Sequence, residues 1–183
     1  MTKQQFETFL EAKARETKTP DPVDWIARKQ EWLKSLEMFY RQVELWLKDY
    51  LATGKIEMKR GDETLQEQHL GTYHAESLVL TIGMDRVVLQ PIGTLLIGAR
   101  GRVDMQGTKG TVKFILTGEH SDGIHVSISE AGPKGGAPAP LRKPRPKPSE
   151  EWVWKIATPP PMVRFIELTP ESFFGALMEV VNG

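Results

Sequence analysis

From Val23 to Thr53 the chain holds neither proline nor glycine, and its aromatic residues fall on one line, with Trp25, Trp32, Phe39 and Trp46 spaced seven apart. Ile26, Leu33, Tyr40 and Leu47 form a second line beside it, and Leu36, Val43 and Tyr50 widen the stripe. An α-helix drifts by only about 20° per seven residues, so these side chains share one broad face. The segment reads as a single helix from Pro22 to Thr53, with Asp21 as N-cap, Pro22 at the first helical position and Gly54 just past the end. At ~1.5 Å per residue it is roughly 45–50 Å long. A compact chain of 183 residues is about 40 Å across, so the helix is at least as long as the body it covers. It buries its whole stripe only if it lies across a wide sheet. Otherwise one end projects, and the Pro20-Asp21-Pro22 hinge points to the Trp25 end. On that reading Trp25, Trp32, Phe39 and Trp46 form a partner-binding line, since interfaces favour large aromatics.

After Gly54 the apolar period changes to two and β-branched residues and glycine turns take over. Ile56 and Met58 alternate ahead of an expected Gly61-Asp62 turn, and Leu78, Leu80 and Ile82 alternate ahead of Gly83-Met84-Asp85, which leads into Arg86 to Gln90. Strands are expected again at 95–97, 102–105, 111–117 and 124–129. Short strands joined by short turns pair antiparallel, because parallel neighbours need long crossovers. Residues 131–148 contain prolines, glycines, lysines and arginines with almost nothing to bury, which predicts an unfolded or polyproline segment. Trp152, Trp154 and Ile156 then alternate, 163–168 reads as a last strand, and Thr169-Pro170-Glu171-Ser172 opens an amphipathic helix through Phe173, Phe174, Leu177, Val180 and Val181.

The expected class is therefore α+β: N-terminal helices, one short over 2–15 and one long, and a C-terminal helix packed on a mostly antiparallel meander sheet or half-barrel. One domain spans 1–183, made of a helical segment (1–54), an antiparallel sheet (55–130), a disordered basic loop (131–150) and the final strands and helix (151–183). Lys plus Arg and Asp plus Glu both total 24, so no overall field steers the chain toward nucleic acid or anionic membrane. Cysteine is absent, which excludes disulfides, thiolate nucleophiles and Cys-ligated metals. The N-terminal residues carry charge too early for a signal peptide, and no stretch approaches the ~20 apolar residues of a membrane span. A cytoplasmic location is expected.

Chemistry-bearing motifs are sparse. Glu119-His120-Ser121-Asp122-Gly123-Ile124-His125 gathers two imidazoles and two carboxylates, a donor set that harder divalent metals accept, so His120, Asp122 and His125 are metal candidates. Asp122-Gly123 between alternating strands reads more strongly as a hairpin turn. Glu67, His69, His74 and Glu76 form a second cluster, read as a solvated loop. No nucleophile elbow or phosphate-binding glycine motif is present. Arg142, Lys143, Arg145 and Lys147, with Lys55, Lys59 and Arg60, can lie along nucleic-acid phosphates, although no aromatic in the loop offers base stacking. No cofactor is expected. The sequence points first to a non-catalytic interaction protein that binds a protein partner or a second copy of itself, with a nucleic-acid-binding accessory protein and a metal-dependent enzyme around His120 and His125 as alternatives.

Overall fold

A computed structural model describes residues 24–94, 99–121 and 151–183. Helix α1 (Trp25–Ala52) leads into strands β1 (Glu57–Glu67), β2 (Gly71–Ile82), β3 (Asp85–Gly93), β4 (Gly101–Gln106), β5 (Thr111–Gly118), β6 (Trp152–Ala157) and β7 (Phe165–Glu167), and helix α2 (Pro170–Asn182) follows. The seven strands lie side by side in chain order. Each is antiparallel to the next. The sheet stays open, with β1 and β7 as its edges. This is the α+β meander that the change of period announces. The expected short first helix, the strands at 95–97 and 124–129 and the basic loop lie outside the described residues.

Two boundaries differ from the sequence reading. No turn forms at Gly61-Asp62: β1 runs straight through, pairing Gly61 with Ser77 and Asp62 with Glu76. A Cβ at Gly61 would stand 2.6 Å from Ser77 Oγ, so a side chain there would require that hydroxyl to turn away. The β1–β2 hairpin therefore runs well past Gly61, and its tip at 68–70 reaches the start of α1. There Trp25 stacks on His69 with ring centroids 4.5 Å apart. Helix α1 itself begins later than expected, capped by Asp24, whose Oδ1 accepts from Ala27 N at 2.9 Å. Its 28 residues span roughly 42 Å at ~1.5 Å each. The long hairpin at one end and α2 at the other give that length something to lie against.

The core sits between α1 and the sheet. Trp32, Leu36, Phe39, Tyr40, Val43 and Leu47 pack on Leu78, Leu80, Leu89, Val103, Met105 and Phe114. Phe39 lies between Phe114 and Trp154, at centroid distances of 5.2 and 4.8 Å, and Trp154 Nε1 donates to Ser35 O. Helix α2 opens with the expected Thr169 cap, closed reciprocally by Ser172. It fills the other end of the sheet, with Phe173 against Phe114 and Trp46, and the β4–β5 turn reaches it through Lys109 N donating to Val180 O.

Candidate functional site

The aromatic line is occupied largely within the chain. Trp32 and Phe39 are 1% and 2% exposed. Trp46 is half-buried on Phe173, and Trp25 is half-buried between His69 and the Arg28 guanidinium. The line thus faces this protein's own sheet and second helix, with only its two ends partly open.

The most elaborate polar arrangement gathers where α1 begins. Glu67, the last residue of β1, is buried. Its carboxylate accepts from the Tyr73 hydroxyl, from Thr94 N at 3.0 Å and from Thr94 Oγ1 at 2.8 Å. Arg28 extends from the first turns of α1 and donates through Nη2 to Thr94 O. Burial and the neighbouring Arg100 lower the Arg28 pKa, while Glu67 and Glu31 offset part of that. Among the described residues, Arg28 Nε is buried without a hydrogen-bond partner. The cluster ties three separate pieces of chain together: helix start, hairpin tip and the end of β3. The spacing groups Glu67 with His69, His74 and Glu76, whereas its partners in the fold, Tyr73 and Thr94, lie 6 and 27 positions away.

Beside it a cleft of about 220 Å³ is lined by Arg28, Glu31, Lys34, Met38, Arg100 and Trp152, among others. Arg100 stacks on Trp152 at 4.4 Å and pairs with Glu31 at 2.5 Å, so its charge is already answered within the chain. A similar economy holds elsewhere. Arg60 bonds Glu37 and Glu76 at 2.7 and 2.5 Å, with Glu44 at 3.6 Å. Arg102 grips Asp104 through two hydrogen bonds of 2.6 and 2.5 Å.

The second histidine cluster does not converge. Glu67 and Glu76 are held as above, His69 lies under Trp25, and His74 Nδ1 meets Asp62 Oδ2 at 2.8 Å. The loop reading of this stretch gives way to strand, because Glu67 ends β1 and His74 and Glu76 lie in β2. Of the first cluster, His120 is exposed beyond β5, while Asp122 and His125 lie outside the described residues. Among the described residues no three His, Asp or Glu side chains form a metal-binding group. Arg142, Lys143, Arg145 and Lys147 also lie outside them. Lys55 and Lys59 are exposed, whereas Arg60 is engaged with its carboxylates.

Two buried phenols give a pH dependence with a definite sign. Burial raises the pKa of Tyr40 and of Tyr73, with Glu76 and Glu67 respectively adding to it. Unfolding returns both to about 10, so their contribution is complete below that pH and is lost as pH rises above it. Unfolding free energy is expected to fall by up to ~1.4 kcal/mol per pH unit for each phenol in that range. Urea titrations at pH 8, 9.5 and 11 measure it. The slope should flatten in Tyr73→Phe and again in Tyr40→Phe/Tyr73→Phe, and an unchanged slope in the double variant dissociates these groups from alkaline unfolding.

No helix of the described residues is long and apolar enough to cross a membrane. Compared with family models, curated proteins and solved structures, the chain matches none.

Proposed function

We propose that this chain is a non-catalytic interaction protein that docks a protein partner through the outward face of its two helices. The observation that carries the reading is where large apolar side chains stand in solvent. Met38 and Leu45 lie seven apart on α1 and are 62% and 63% exposed, and Met178 on α2 is 63% exposed. Tyr50 meets Phe174 edge-on at 6.1 Å, joining the two helices into one seam, and Met178 follows Phe174 by one turn. Flexible methionines beside aromatics suit a surface that repacks against a partner. The same reading is supported by the ion pairs and hydrogen bonds above, which use Arg60, Asp104, Arg100 and Glu67 to hold the fold.

The test places a photo-crosslinking amino acid at Leu45, at Met178 and, as a reference on the sheet, at Arg86, in the cells that produce the protein. One discrete adduct is expected from positions 45 and 178, at several times its yield from position 86. Equal yields at all three positions, or no adduct from the helices, remove the reading.

A further inference from the structure

Strand β1 is an edge of unusual length. Its eleven residues pair with β2 along one side, and among the described residues no strand lies on the other. The opposite edge, β7, has three residues and follows Pro159-Pro160-Pro161. An unpaired strand offers a row of N–H and C=O groups to any second strand, and natural edges are commonly guarded by charge. The centre of β1 is charged, yet in an order that attracts its own copy.

That centre reads Lys59-Arg60-Gly61-Asp62-Glu63. When two copies run antiparallel about a two-fold axis at Gly61, Arg60 stands opposite Asp62 of the second copy and Lys59 opposite Glu63, and the symmetry repeats both pairs. A slip of one residue keeps only two opposite-charge pairs. A slip of two sets Asp62 against Asp62 or Arg60 against Arg60, and parallel in-register pairing opposes like charges throughout. Directly opposed residues in antiparallel strands are close enough for such pairs to select a register. Arg60 and Asp62 have partners within the chain, on Glu37, Glu76 and His74. Lys59 and Glu63 make no ion pair or side-chain hydrogen bond among the described residues. Lys59 is exposed, whereas Glu63 is half-buried and its charge adds to the upward shift of the Tyr40 phenol.

We propose that β1 pairs antiparallel with β1 of a second copy across a two-fold axis at Gly61, joining two seven-stranded sheets into one. This surface is separate from the helix face, so either reading can fail alone.

Sedimentation of the full chain over a concentration series, at low and high salt, tests it with two variants. Wild type is expected to dimerise, more weakly in high salt. Lys59→Glu replaces two attractive pairs by two repulsive ones, and its dissociation constant should rise roughly tenfold or more. Lys59→Glu/Glu63→Lys restores opposite charges at both positions and should return the dissociation constant to the wild-type value, which no effect on folding alone would do. A wild type that stays monomeric at every concentration overturns the proposal. So does a Lys59→Glu variant that dimerises like wild type, or a folded double variant that remains as weak as the single one.

Discussion

Trp32→Ala and Phe39→Ala are each expected to cost about 3–5 kcal/mol of stability, the range for a large buried aromatic whose cavity does not close. Both rings are almost fully buried, and neither neighbourhood can collapse easily. The Trp32 indole lies directly against the Gly101 backbone, where a Cβ would collide with the ring. Phe39 is wedged among Tyr40, Phe114 and Trp154. For a chain of this size ~1 kcal/mol moves the midpoint by about 2–4 °C, so losses on the order of 10 °C are expected. Trp25→Ala removes only its stack on His69 and its contact with Arg28 and should cost about 1 kcal/mol. Urea unfolding followed by circular dichroism measures all three. Similar losses at Trp25 and Trp32 would mean that the helix is anchored evenly along its length, contrary to the burial seen here.

The same helix shows what a sequence makes legible. Periodicity reports which residues share a face, so the stripe, the strands over 102–105 and 111–117 and the capped C-terminal helix could be read directly. It does not report what covers that face. The Pro20-Asp21-Pro22 hinge pointed to a projecting Trp25 end, and a turn at Gly61-Asp62 hid the long hairpin whose His69 covers it. A glycine that makes a turn and a glycine inside a strand are spelled identically, and Gly61 is the second kind. The Glu67 cluster was illegible for a different reason. It joins the first turns of α1, the hairpin tip and the residue after β3, and contacts across such separations leave no local pattern. The charge order of β1 was present in the sequence from the start, but a turn at Gly61 would have folded it back on itself, and only an unbroken edge strand displays it to a second copy.

Glu67→Ala is expected to be as damaging as the loss of a core aromatic, at about 3–5 kcal/mol, because it removes one side of a buried charged network. Three donors lose their acceptor together: the Tyr73 hydroxyl, the Thr94 amide and the Thr94 hydroxyl. Arg28 at the same time loses a nearby negative charge that offsets its burial. Glu67→Gln keeps the shape and one carbonyl acceptor, and its cost should be smaller, about 1–3 kcal/mol. The site tolerates little repacking. Gly93 has φ +126°, and a Cβ there would lie 2.8 Å from Glu67 Oε1, so this carboxylate occupies space that only a glycine leaves open. The loss should also be local before it is global. Thr94 follows directly on β3 and is pinned by Glu67 and by Arg28, so its amide should exchange with solvent much faster in Glu67→Ala, while the amide of Met105 in the centre of the sheet should follow only the overall drop in stability. Hydrogen exchange resolved by residue separates the two. A Glu67→Ala protein with wild-type stability would make the carboxylate dispensable, and one in which Thr94 and Met105 accelerate equally would remove its role as the latch between the hairpin tip, β3 and the start of the long helix.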